Sequence, residues 1–218
     1  SIMAISKEQF LEVANMIRQK PFATRNIAVD KSNTITYLLY RFKRPLLKWR
    51  FNTYQKKNAH KPWLTPDAIE ALEALLKKTD VGLEYGSGRS TKFFAERLNH
   101  LTSVEHHEGW FEQVNQELKI EGFENVEYIL KTPNNQVPKV YFTSEAQHFT
   151  PENKYPIEDN YFKDYIGIID NYSDEHFDFV LIDGRARKSC ALAVTSKIKS
   201  GGLLVLDNAE RVRYKQIH

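Results

Sequence analysis

Five short apolar runs separated by helical stretches constrain this chain more than any other feature. They are Val81–Tyr85, Leu101–Glu105, Val126–Leu130, Phe177–Asp183 and Leu203–Asp207. Between them the apolar residues fall at helical spacing: over Thr91–Leu98, at Trp110, Phe111, Val114 and Leu118, over Tyr161–Asp170, and over Ser189–Lys199. Strands that alternate with helices return by crossovers rather than hairpins, and crossovers make parallel sheets. Phe177–Asp183 is apolar nearly throughout, as a parallel strand covered on both faces must be. The pattern predicts a doubly wound, mostly parallel α/β sheet over residues 63–218.

Residues 1–62 have a different character and are expected to form a helical, basic N-terminal cap. Ser6 suits an N-cap, followed by Phe10, Val13, Ala14 and Ile17. A second helix is marked by Ile35, Leu38, Leu39, Phe42 and Leu46, with Pro45 expected to break or kink it. Seven Lys and Arg lie between Arg41 and Lys57, with no acidic residue and with Trp49, Phe51 and Tyr54 interleaved. Three readings stay open for this stretch: a solvated helix face, contact with an anionic membrane surface, or a collar for phosphorylated or nucleic-acid substrates. The net charge of +3 is too small to argue for nucleic acid by itself. Thr65-Pro66-Asp67 then reads as a helix start, with Ile69, Leu72 and Leu76 on its buried face.

Cys190 is the one cysteine, which excludes an internal disulfide framework and a cysteine-based zinc cluster. A reducing, cytoplasmic setting is expected. No run of about 18 apolar residues is present, and Ser1-Ile2-Met3-Ala4 lacks the basic-then-apolar pattern of an export signal. Residues 131–159, with Pro133, Pro138, Pro151 and Pro156, read as a long irregular connection.

The turn after the first strand carries the chemistry. In Glu84-Tyr85-Gly86-Ser87-Gly88-Arg89-Ser90-Thr91, two glycines let the backbone turn sharply, and the next helix aims its free N–H groups at the same place. A dinucleotide loop wants a third glycine where Thr91 stands. Glu84 would repel a pyrophosphate and attract an ammonium or sulfonium. Glu105, at the second strand tip, suits two ribose hydroxyls. The bland alternatives are a plain tight turn at Gly86 and Gly88 and a solvated strand end at Glu105.

With Ser103-Val104-Glu105-His106, Phe177–Gly184 and Gly201–Asn208, this loop makes the region from about Trp63 to Tyr214 resemble the class I S-adenosylmethionine-dependent methyltransferases. The resemblance implies a Rossmann-like fold and a cofactor site. Gly86 and Gly88 would line the methionine moiety, Ser87 and Ser90 would belong to the same cofactor loop, Glu84 would help hold the ammonium end, Glu105 the ribose, and His106 and Trp110 would flank the adenine. Ser90 departs from the family's third glycine, and Lys131-Thr132 from its adenine-reading acid or amide. Only ten residues follow Asn208, so the family's last two strands are expected to be missing or replaced.

Asp183 and Asp207-Asn208 end neighbouring strands and face one crevice. Two carboxylates and an amide suit Mg²⁺, which would activate a substrate hydroxyl. The layout resembles the catechol-type O-methyltransferases, and by that resemblance Asp183, Asp207 and Asn208 are metal ligands, with Asp183 and a displaced Lys188 the catalytic candidates. The same acids serve equally as loop hydrogen-bonding groups. Arg185, Arg187 and Lys188 fit either an acidic substrate or a solvated helix start. Cys190 fits a small buried residue, while His106 and His107 fit surface positions as well as ligand contacts. The expected function is methyl transfer from S-adenosylmethionine to a small-molecule or sugar-like hydroxyl. The rivals are a nicotinamide-dependent oxidoreductase and a non-catalytic adenosine-binding or protein-interaction module. Self-association into a homo-oligomer is compatible with the sequence.

Overall fold

The computed structural model describes residues 34–135 and 161–207. They fall into two compact units, one closing at Leu75 and the other opening at Leu76. The helix expected around Phe10–Ile17, most of the 131–159 connection and Asn208 lie outside the described residues.

The first unit holds α1 (Thr34–Lys57) and α2 (Pro66–Leu75). Pro45 does not break α1, which runs through it. Proline there removes one i to i−4 hydrogen bond, and the surrounding residues 41–46 are exposed, so water can serve the freed carbonyl. Phe51 and Gln55, one turn apart, form the buried face of α1. Phe51 meets Trp63 edge-on at 6.2 Å, and Gln55 Nε2 donates to the Leu64 carbonyl at 3.5 Å. Thr65 caps α2 as its position demands, its Oγ1 accepting the Ala68 N–H at 3.3 Å.

The second unit is the α/β sheet. Its elements are β1 (Val81–Tyr85), α3 (Arg89–Ala95), β2 (His100–Glu105), α4 (Glu108–Ile120), β3 (Val126–Leu130), α5 (Lys163–Ile166) with a 3-10 turn at Gly167–Asn171, β4 (Phe177–Ile182), α6 (Arg187–Ala193) and β5 (Ile198–Leu206). Every strand pair is parallel, in the order β3-β2-β1-β4-β5. β5 starts earlier than the apolar run suggests. Gly201-Gly202 sits within it at a register shift, where Phe177 faces Ile198 and Phe179 already faces Leu203. Gly201 has φ 79, and any side chain at Gly202 would strike the Lys199 and Asp178 carbonyls.

Strand alternation divides the core. Leu83, Tyr85, Val180 and Ile182 pack on one face with Phe162, Tyr165, Cys190 and Val194. On the other, Phe94 meets Phe179 at 4.6 Å beside the buried Phe93, Leu98 and Leu101. Each such fully buried ring stabilises the fold by about 1.5–3 kcal/mol. Cys190 is buried and reduced, as its isolation implies.

The strand order reverses between β1 and β4, and the two chain segments leaving these strands touch. Gly86, with φ 95, has no room for a Cβ, which would lie 2.7 Å from the Gly184 Cα and N. A Cβ on Gly184 would in turn meet the Tyr165 hydroxyl and lie 3.0 Å from Gly86 N and the Tyr85 carbonyl. Gly86 is thus glycine because backbone packs on backbone there. Gly184→Ala is expected to lower unfolding free energy by about 1–3 kcal/mol through overpacking, read from urea denaturation with an unchanged m-value.

Candidate functional site

The tips of β1, β2, β4 and β5 share one end of the sheet, tied by backbone bonds. The Gly86 N–H donates to Val104 O at 2.9 Å, Asp183 N–H to Tyr85 O at 2.9 Å, and Asp207 N–H to Ile182 O at 3.1 Å. In an open parallel sheet this is where ligands bind, at the point where strand order reverses.

Glu84 points into the face covered by α3 and is fully buried. Its Oε2 accepts hydrogen bonds from Thr91 Oγ1 at 2.7 Å and Ser103 Oγ at 2.8 Å. Thr91 Oγ1 accepts the Gly88 N–H at 2.9 Å. A relay therefore runs from the buried carboxylate through Thr91 to the loop backbone, which explains why a threonine stands where a dinucleotide loop has glycine. Oε1 makes no hydrogen bond among the described residues. Burial raises the Glu84 pKa to about 7, and the hydroxyls of Ser90, Thr91 and Ser103 only partly offset it. Glu84 thus lies beneath the loop and acts on it through Thr91. Ser90, buried in the first turn of α3, belongs to the same cluster.

Glu105 is the second buried carboxylate, and its environment is the opposite. Oε2 accepts the Ser87 N–H at 3.1 Å and the Ser87 hydroxyl at 2.9 Å. Oε1 accepts the N–H groups of His106 and His107, each at 2.8 Å, and lies 2.8 Å from the His106 Nδ1. Burial alone would raise its pKa, but the bonds from His106, His107 and Ser87 pull it down to about 2. Glu105 is therefore an ionised clamp between the first and second strand tips. Ser87 Oγ also lies 2.6 Å from the Tyr128 hydroxyl. Ser87 has one proton to give, so while it donates to Glu105 it accepts from Tyr128. The Ser87 hydroxyl makes to Glu105 the kind of bond a ribose hydroxyl would make.

The two residues expected beside an adenine part ways. His106 turns inward, edge-on to Phe162 and Tyr165, and its Nε2 accepts from Arg185 Nε at 3.4 Å. Trp110 stays exposed at the N-terminal end of α4. Its indole Nε1 donates to the Ser87 carbonyl at 2.9 Å, and the ring lies over Gly88, where a Cβ would meet it at 3.7 Å. His107 caps α4 by accepting the Trp110 N–H on Nδ1 at 3.2 Å.

Asp183 and Asp207 come together, but a guanidinium lies between them. Arg187 donates to Asp183 Oδ1 at 2.8 Å and to Asp207 Oδ2 at 3.2 Å. It also reaches the carbonyls of Asp183, Gly184 and Asp207 at 2.9, 3.1 and 2.6 Å. Ala186, in the left-handed conformation at φ 45, turns the chain so that Arg187 points back. Asp183's pKa is raised, chiefly by burial and by Asp207, with Arg187 partly opposing. Arg187 thus supplies positive charge between the two carboxylates. No cluster of three or more His, Cys, Asp or Glu suited to a metal occurs among the described residues. Asn208, the third expected ligand, lies outside the described residues. Lys188 follows in the first turn of α6, half-buried. The sequence signal that marks Arg187 is its i, i+4 spacing from Asp183, a pairing that favours arginine's two-pronged donor.

No protein-family model matches this chain, and no curated protein does. Among solved structures, it is similar to a methyltransferase-like protein (spo2022) from Silicibacter pomeroyi DSS-3. That match has 28% identity over 72% of this chain and 78% of the other, with a TM-score of 0.50. More distant likenesses are the YcgJ protein of Bacillus subtilis (14% identity over 62% of this chain, TM-score 0.39) and a methyltransferase, BH2331, of Bacillus halodurans C-125, itself described as provisional (16% over 64%, TM-score 0.38). The chain spans about half the length of these two, 46% and 51%. The α/β unit has a Rossmann-like, methyltransferase-like fold.

Glu84 links this site to folding. Its folded pKa of about 7 lies above its ordinary value of 4.5, so the unfolded chain ionises first. The stability that Glu84 contributes is full below about pH 4.5 and is lost as pH rises toward about 7. Glu84→Gln is expected to flatten that part of the stability profile, measured by urea denaturation across this range. An unchanged slope would contradict the assignment.

Proposed function

We propose that this protein binds S-adenosylmethionine at the tips of β1 and β2 and transfers its methyl group to a hydroxyl of a small, sugar-like acceptor. The observation that carries the reading is the fully buried carboxylate of Glu84, bonded among the described residues only through hydroxyls, beneath a glycine loop whose neighbouring strand tip holds the ionised Glu105. A cationic ligand with a diol matches both. The likeness to the Silicibacter methyltransferase-like protein supports the same class.

When bound, S-adenosylmethionine supplies an electrophilic methyl group on its sulfonium. The protein's own part is positioning and charge. Glu84 holds Thr91 and hence the Gly88 N–H, and its charge favours the ligand's ammonium end across the low-dielectric interior. Glu105 accepts hydroxyl donors, with Ser87 yielding its bond on Oε2. Trp110, exposed over Gly88, supplies an aromatic face for the base. At the adjoining tips, Arg187 orients the Asp183–Asp207 pair. Asp183, with its raised pKa, is suited to take the proton of an acceptor hydroxyl as the new C–O bond forms. Alignment of the nucleophile is the main source of rate in such a site.

The test is calorimetric titration with S-adenosylmethionine and, separately, NADH. Only the former is expected to bind, with affinity reduced about tenfold or more in Glu105→Gln. Binding of a cation lowers the Glu84 pKa, so near pH 7 up to about half a proton should be released. This appears as different heats in buffers of different ionisation enthalpy and disappears in Glu84→Gln. Tight NADH binding without S-adenosylmethionine binding would sink the proposal. In a methyl-transfer assay over hydroxyl acceptors, EDTA should leave the rate unchanged. Arg187→Gln should lower kcat by about tenfold or more.

A further inference from the structure

Helix α1 has two apolar faces, and among the described residues only one is packed. Phe51 and Gln55 are buried, whereas Leu38, Phe42, Leu46 and Trp49 are exposed to 51, 85, 56 and 64%. At about 100° per residue these four span roughly 80° of the helix circumference, with Phe51 diametrically opposite. They form one ridge, and isolated exposed apolar residues would not align so. Cations border it on both sides, Arg41 and Lys48 along one flank and Lys43 and Arg50 along the other, all exposed. No Asp or Glu occurs anywhere in Thr34–Lys57.

The occupant must accept a ridge of two leucines, a phenylalanine and a tryptophan between rows of positive charge. Nucleic acid satisfies the cations and can stack on the rings, but it offers nothing to Leu38 and Leu46. An anionic bilayer satisfies the whole face. The acyl boundary takes the ridge, the headgroups take the flanking Lys and Arg, and their aliphatic stems lie along the interface. No helix among the described residues is long and apolar enough to cross a membrane, so the contact lies in the interfacial plane. We propose that α1 is a peripheral docking helix for an anionic lipid surface. The proposal goes beyond the methyl-transfer reading and does not rest on it.

The experiment is flotation of the intact protein with vesicles of phosphatidylcholine containing about one-third phosphatidylglycerol, against phosphatidylcholine alone. Expected are binding to the anionic vesicles only, weakening with added salt, and a blue shift of tryptophan emission that Trp49→Phe largely removes. The pair Phe42→Ser with Trp49→Ser should weaken binding about tenfold or more, as should Arg41→Glu with Lys48→Glu. All four positions are exposed, and circular dichroism verifies that each variant is folded. No binding to anionic vesicles would overturn the proposal, as would binding indifferent to the apolar pair. So would salt-sensitive capture of a random-sequence RNA oligonucleotide, or a self-associated form that shields Trp49, in the absence of vesicle binding.

Discussion

The contact on which the α/β unit depends is backbone against backbone, where Gly86 and Gly184 meet at the reversal of strand order. Two chain segments nearly a hundred residues apart approach so closely that neither tolerates a Cβ. That approach brings the tip of β1 beside the tip of β4, and with them the loop over α3 and the acids that follow β4 and β5. A wider separation would leave Glu84, Glu105 and Asp183 on one sheet but not around one crevice. Gly86 therefore serves the packing of the two strand tips. Gly88, under the Trp110 ring, is the loop glycine whose surroundings a ligand would meet.

Two buried glutamates on adjacent strands show how environment assigns roles to identical side chains. Glu105 receives five nitrogen or oxygen neighbours from Ser87, His106 and His107 and stays ionised. Glu84 receives hydroxyls alone and is half neutralised near pH 7. The first fixes the relative position of two loops. The second leaves a charge deficit beneath the loop that a cationic ligand would relieve. This difference arises from burial and partner chemistry, which the spacing of the two residues does not encode.

The strand-tip acids illustrate the same point with a different outcome. As an Asp…Asp-Asn pattern they suggest a divalent cation. In three dimensions the left-handed Ala186 swings Arg187 between Asp183 and Asp207, and one guanidinium supplies fixed positive charge and a fork of donors. The two acids are thereby paired through one guanidinium.

The sequence by itself determined the sheet. Val81–Tyr85 and Val126–Leu130 appear with the bounds that their apolar runs imply, and the alternation with helices required parallel pairing because crossovers leave no other geometry. It also determined that Glu84, the glycine loop and Glu105 would lie together, since strand tips of a parallel sheet share one end. Tertiary structure decided which way each side chain turned. His106 went inward, where its ring meets Phe162 and Tyr165 and its Nε2 accepts from Arg185, while Trp110 stayed outside. Pro45 remained within a helix because solvent can replace one lost bond, and Gly201-Gly202 entered a strand as a bulge. Periodicity places a residue on an element. Only the packing of distant segments decides whether its polar atoms meet protein, ligand or water.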